Sequence, residues 1–191
     1  MSHSYEVLEE HERYRGAIFT VVSQLITMPG GGTAWRDVVR NLGAAVVIAL
    51  DDEGRIVLVR QYRSVIGQYM WEVPAGLADV AGESGLATAQ RELAEEADLE
   101  AARWDLLTEV HTSPGFSTEF IRIFLARDLT PTAHSHVREH EEADMSVERV
   151  PLDEAVAMVF RSEITNGPDV VGILAAARAR DLNWTPLRPA V

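Results

Sequence analysis

Helical periodicity is absent from this chain until Gly82, and that absence constrains the fold more than any other feature. Ahead of it the apolar residues come in short β-branched runs. Ala17 to Met28 (AIFTVVSQLITM) is partly alternating and reads as a strand. Pro29-Gly30-Gly31-Gly32 is a turn, and Thr33 to Asn41 returns as a second strand, giving a hairpin. Residues 1–12 are polar and read as a frayed end or a segment resting on a partner. Ala44 to Leu50 and Arg55 to Gln61 form another pair of strands around Asp51-Asp52-Glu53-Gly54, a turn sequence. Tyr69 to Val73 is a short strand ended by Pro74 and Gly76. After Gly82, Leu86, Ala89, Leu93 and Ala97 make one helical stripe. Strands resume at Leu106 to Thr112 and Phe120 to Ala126, with one more at Ser146 to Val150. Helices at Leu152 to Glu163 and Asp169 to Arg180 are separated by Asn166-Gly167-Pro168. This order predicts one mixed α/β or α+β domain.

Charge and composition exclude several classes of function. With 17 Lys and Arg against 30 Asp and Glu, the net charge is −13, which argues against a nucleic-acid backbone as partner. Small phosphorylated ligands stay open, because carboxylates recruit them through divalent metal ions. The chain has no cysteine, hence no disulfide, Cys-based zinc site or thiol nucleophile. No run approaches the ~20 apolar residues that span a bilayer, and the acidic N-terminus lacks a signal peptide's pattern. A cytoplasmic protein with no membrane partner is expected. His111, His134, His136 and His140 follow no zinc spacing, and no G-x-S-x-G marks a serine nucleophile. Trp71 is expected in the core.

The segment that carries chemistry is Gly76 to Leu99, GLADVAGESGLATAQRELAEEADL. Residues four apart share a helix face, so Glu92 and Glu96 project side by side. Two parallel carboxylates repel, and a divalent cation with a taste for hard oxygen, Mg²⁺ or Mn²⁺, resolves the conflict. Arg91 pairs with Glu95 or Glu83 and can hold either in place. The competing account of the helix alone is a solvated acidic face.

The same segment resembles the Nudix box, G-x5-E-x7-R-E-U-x-E-E-x-G-U, with U aliphatic. Glu83, Arg91-Glu92 and Glu95-Glu96 fall in register, with two departures. Gly76 stands seven residues before Glu83 rather than six, and Asp98 replaces the last glycine. The extra residue falls in a loop, where insertions are tolerated, and Asp98 is expected to take a left-handed conformation. The resemblance extends through RQYR (60–63), WEVPAGL (71–77), TSPGFSTE (112–119) and HEEADM (140–145), with PGGG and GLxDVAGE. It is to the ADP-ribose pyrophosphatase subfamily, actinobacterial type.

That resemblance implies a Nudix fold, an α/β/α sandwich with mixed sheets and an N-terminal β-hairpin. Residues 1–41 would be the dimerisation segment, its hairpin exchanged between subunits of a homodimer, and 42–191 the hydrolase domain. The implied reaction is Mg²⁺-dependent hydrolysis of ADP-ribose to AMP and ribose 5-phosphate, with Mn²⁺ a substitute. Another sugar nucleotide or dinucleotide (a GDP-hexose, NADH) and a non-catalytic ADP-ribose sensor are the alternatives. By the same resemblance, Glu92, Glu96 and the Ala75 carbonyl hold metal, Glu95 positions the cluster, and Arg91 and Glu83 support it. Glu142, then Glu141, is the general base. Arg63 contacts phosphate, while Ser113, Gly115 and Glu119 belong to a loop over the ribose. Arg36 and Asp37 reach the ligand from the other subunit, and Ile18 or Phe19 offers an apolar surface to adenine. Burial of these last four in a dimer core is the rival account.

Overall fold

In the computed structural model, residues 3–133, 136, 138 and 144–190 are described. The N-terminal strands make an antiparallel sheet of their own: β1 (Val7–Arg15), β2 (Phe19–Thr27) and β3 (Thr33–Asn41), in that order. The expected β2–β3 hairpin is present, registered from Thr27 opposite Thr33 to Phe19 opposite Asn41. Its turn closes with the Met28 N–H donating to the Gly32 carbonyl (2.8 Å). Gly30 and Gly31 sit at φ 89° and 88°, a conformation that disfavours any side chain.

The N-terminal segment departs from expectation. Rather than fraying, it supplies β1, paired with β2 along its length. Every residue of β1 is exposed, so there was no apolar alternation to read. Polar cross-strand pairs tie it down instead: Glu10 accepts from Gln24 Nε2 (2.7 Å) on β2 and from both ends of the Arg40 fork (2.8 and 2.5 Å) on β3. This sheet forms a compact unit, residues 1–43, together with residues 111–120. Within it the Val39 N–H donates to the Phe116 carbonyl (2.7 Å) and the Thr118 N–H to the Val39 carbonyl (2.9 Å).

The second unit comprises residues 44–110 and 121–191. Its strands are β4 (Ala44–Ala49), β5 (Arg55–Arg63), β6 (Gln68–Glu72), β7 (Ala75–Leu77), β8 (Leu99–His111), β9 (Phe120–Pro131), β10 (Ser146–Pro151) and β11 (Arg188–Pro189). Its helices are α1 (Gly85–Ala97), α2 (Leu152–Phe160) and α3 (Gly167–Asp181). The five-stranded sheet runs β11-β8-β9-β4-β7, with β4 parallel to β9, and a three-stranded sheet runs β10-β5-β6.

Strand β4 explains the layering. Val46, Ile48 and Leu50 join one core cluster with Leu152 and Ala155 of α2 and Ile173 and Ala176 of α3. Ala45, Val47 and Ala49 join another with Ala89 and Leu93 of α1. A strand covered on both faces must be apolar throughout, which is why GAAVVIAL shows no alternation. Helices thus lie on both faces of the sheet, an α/β/α sandwich.

One pairing is corrected. β4 and β5 exist where expected but do not form a hairpin. A single bridge, Leu50 to Ile56, links them before β4 joins β7 and β9 and β5 joins β6 and β10. Asp51 holds the turn, its Oδ1 accepting from the backbone N–H of Glu53 (3.0 Å) and Arg55 (2.9 Å). Trp71 is partly buried against the core. Among the described residues, no helix is long and apolar enough to cross a membrane.

Candidate active site

Ser84 starts the carboxylate helix, its Oγ accepting from the Ala87 N–H (3.2 Å). Asp98 ends it at φ 54°, ψ 39°, the left-handed conformation expected, with its N–H directed to the carbonyls of Ala94 and Leu93. Its carboxylate also accepts from the His136 N–H (2.8 Å) and from Arg138 Nη2 (2.8 Å), contacts a glycine could not make. The extra residue before Glu83 is absorbed in the loop between β7 and α1, and Glu83 still reaches its arginine.

Leu93 and Ala89 bury against β4, and this rotation turns Glu92 and Glu96 toward β7, where both are buried. The Ala75 N–H donates to Glu96 Oε2 (2.9 Å). A Cβ added at Gly76 would lie 1.9 Å from Glu92 Oε1, so only glycine leaves room for that carboxylate. We therefore expect Gly76→Ala to weaken apparent metal affinity about 10–100-fold, the effect of disturbing a ligand's support. Turnover titrated with metal ion checks this; an unchanged curve would show that Glu92 need not sit in this cradle.

Arg91 is the electrostatic centre. Its Nη1 donates to Glu92 Oε1 (2.6 Å) and Glu95 Oε2 (3.0 Å), and its Nε and Nη2 to Glu83 (both 3.3 Å). Burial alone would lower its pKa, but Glu83, Glu92 and Glu95 overcome that and raise it. In return, Arg91's hydrogen bonds hold the Glu83 carboxyl below its ordinary value. One guanidinium and the carboxylates of Glu83, Glu92, Glu95 and Glu96 carry 1 − 4 = −3 formal charges. Such a site suits a divalent cation. Among the described residues no three Asp, Glu or His side chains converge to hold an ion by themselves. Two buried carboxylates fit Mg²⁺ nonetheless, since that ion is bound through one or two carboxylates with water and phosphate completing its shell. Ala75 adjoins Glu96 through its N–H.

Sequence reasoning named Arg63 but missed the two acids grouped with it, Glu72 and Asp169. Arg63, at the end of β5, is forked onto Glu72 of β6, with Nε 3.0 Å from both carboxylate oxygens and Nη2 2.5 Å from Oε2. Gln61 Nε2 donates to the same Oε2 (3.0 Å). Glu72 could have been suspected as a charge beside the apolar residues of WEVPAG. Asp169, in the first turn of α3, gave no signal. It is wholly buried, and among the described residues neither carboxyl oxygen meets hydrogen-bond geometry, although the Val73 N–H and the Asn166 side chain act on it. Burial, then the Glu72 charge, pushes its pKa up to about 8.

A carboxyl that keeps its proton when folded and releases it when unfolded costs stability as pH rises from about 4 through about 8. Asp169→Asn removes this dependence. The variant's unfolding midpoint is expected to gain roughly 5 °C or more on the wild type between pH 5 and pH 8. Thermal melts at both pH values check this, and a pH-independent difference would contradict it.

The remaining expected residues are in the N-terminal unit. Asp37 accepts from Ser23 Oγ (2.5 Å), and Ser23 accepts from Arg13 Nε (2.9 Å). Arg36 is exposed and donates to the Trp35 carbonyl (2.8 Å). Ile18 and Phe19 are exposed, so burial within this sheet does not account for them. In the loop, Ser113's carbonyl accepts from the N–H of Phe116 (3.1 Å) and Ser117 (2.9 Å), and Gly115 lies at its exposed tip. Glu119 accepts from the Thr112 hydroxyl. Glu141 and Glu142 lie outside the described residues.

An α/β/α sandwich whose central helix presents this carboxylate set defines a Nudix protein: residues 40–166 match the NUDIX domain model, and the chain belongs to that family. It is 44% identical over 177 residues to an ADP-ribose pyrophosphatase of Mycobacterium tuberculosis, covering 91% of this chain and 83% of the relative. An ADP-ribose pyrophosphatase of Bacillus subtilis is 30% identical over 159 residues, 83% of this chain and 85% of the relative. The crystal structure of an ADP compounds hydrolase superposes with a TM-score of 0.81 at 20% identity, covering 95% of this chain and 96% of that one, which shows the shared fold.

Proposed function

We propose that this protein hydrolyses the pyrophosphate of ADP-ribose, with Mg²⁺ and water, to AMP and ribose 5-phosphate. The observation that carries this reading is the Glu92–Glu96 pair, buried side by side on a Nudix helix and braced by Ala75, Gly76 and Arg91. The names of the two relatives support ADP-ribose as the substrate.

Glu92 and Glu96, with the Ala75 carbonyl, would hold the metal, and Mn²⁺ would serve in place of Mg²⁺. Bound there, such ions neutralise phosphate oxygens and favour an attacking water. Glu142, or failing it Glu141, takes the proton from that water as general base. Arg91 bridges the carboxylates of Glu92 and Glu95 through Nη1 and orients both. Arg63 donates to a substrate phosphate; Ser113, Gly115 and Glu119 contact the ribose. Arg36 and Asp37 reach the ligand from the partner in a homodimer, while Ile18 and Phe19 cover adenine. The test is a panel of ADP-ribose, GDP-mannose and NADH with Mg²⁺, products separated by chromatography. AMP and ribose 5-phosphate, formed fastest from ADP-ribose, support this reading; cleavage of another member alone, or binding without turnover, would overturn it.

The dimer has its own test. Deleting residues 1–41 removes the whole N-terminal sheet and the strand on which residues 116–118 pair. The truncated chain is expected to be a monomer or an aggregate with little affinity for ADP-ribose. Light scattering and KM report both; a soluble, fully active monomer would show that Arg36 and Phe19 take no part.

A further inference from the structure

We propose that Glu72 is a positioning residue for Arg63, holding its guanidinium so that Nη1 is left to meet the substrate's phosphate, and that Asp169, buried beside Glu72, sets whether a second anion competes for it. The inference rests on the reading of Arg63 as a phosphate contact.

Glu72 occupies Nε and Nη2 of Arg63, and no hydrogen bond from Nη1 is formed among the described residues. A carboxylate that takes one edge of a guanidinium fixes its plane and leaves the other edge to a second anion. Glu72 is itself held in place: it is 3% exposed, and Gln61 donates to it from β5. Arg63, by contrast, is partly exposed, so its free edge can be reached from solvent.

Asp169 lies behind this pair. The charged groups that act on its carboxyl are Glu72 from β6 and Arg63 from β5; the Val73 N–H and the Asn166 side chain also face it, without hydrogen-bonding geometry. Arg63 in turn senses Glu96 of α1. Two buried anions around one arginine would compete with a phosphate for it. Kept protonated by its burial, Asp169 adds no second charge, and Arg63 stays available to the substrate. On ionisation it becomes a rival anion, and substrate affinity falls.

The test uses the full-length protein and steady-state kinetics on ADP-ribose at fixed, saturating Mg²⁺. Glu72→Gln is expected to raise KM about tenfold with kcat within about threefold, the loss of one charge-assisted contact. Where that variant does not fold, Glu72→Asp, a methylene too short for the same fork, is expected to raise KM likewise. The wild-type KM is expected to rise above pH 8, and Asp169→Asn to flatten that rise. Arg63→Ala is run beside them. If it leaves KM unchanged, the phosphate reading of Arg63 fails. If it raises KM while the folded Glu72 variant keeps a wild-type KM, the positioning inference alone is overturned. An Asp169→Asn curve that follows the wild type at every pH removes Asp169 from it.

Discussion

Glu92→Gln and Glu96→Gln should each lower Mg²⁺-dependent hydrolysis of ADP-ribose by at least about 100-fold while leaving the fold intact. Glutamine keeps the shape of the side chain and one acceptor oxygen, so Ala75 retains a partner for its N–H at position 96. What it loses is the charge. With three carboxylates on Arg91 and Glu96 one turn from Glu92, neutralising one of the pair relieves repulsion in the metal-free protein, so the unfolding midpoint should not collapse. The damage therefore falls on the metal-dependent step. Initial rates across a Mg²⁺ titration, with circular dichroism melts alongside, separate the two effects. Near-normal rates in both variants at modest Mg²⁺ would refute the metal assignment.

The other large effect is expected from the general base. One of Glu142→Gln and Glu141→Gln should reduce kcat at least ~100-fold with KM little changed, because a base acts on the chemical step and contributes ~10²–10⁴-fold. The second substitution should give a milder defect. Measuring kcat and KM for both single variants and the double variant decides between them. A double variant with wild-type kcat would move the base elsewhere, to Glu95 or Glu83. Of those two, Glu83 is committed to Arg91 and Thr88, and Glu95 to Arg91 with a partly exposed side chain. Both are therefore engaged in bracing the helix through Arg91.

The carboxylate helix was legible in the sequence because its chemistry is local. Four-residue spacing alone puts Arg91 beside Glu95 and Glu92 beside Glu96, and the left-handed Asp98 follows from its place after the last apolar residue. The existence of β4 was legible too, although its unbroken apolar run was read only as a strand and not as one buried on both faces. Strand β1 was not, since an exposed strand held by Glu10, Gln24 and Arg40 looks like any polar segment. Nor was the parting of β4 from β5, because the Asp51 turn suits a hairpin and only long-range partners decide otherwise. Asp169 was hidden for a related reason. An acid after Asn-Gly-Pro reads as ordinary first-turn helix chemistry, and its burial beside Glu72 depends on residues almost a hundred positions away.

The most direct test of the account is ³¹P NMR of ADP-ribose incubated with the wild-type protein and Mg²⁺, with Glu96→Gln in a parallel tube. Hydrolysis between the two phosphates predicts loss of the diphosphate signals and the rise of two phosphomonoester signals, those of AMP and ribose 5-phosphate, in the wild-type tube only. Persistence of the diphosphate signals with the wild type, or equal conversion by Glu96→Gln, would contradict it.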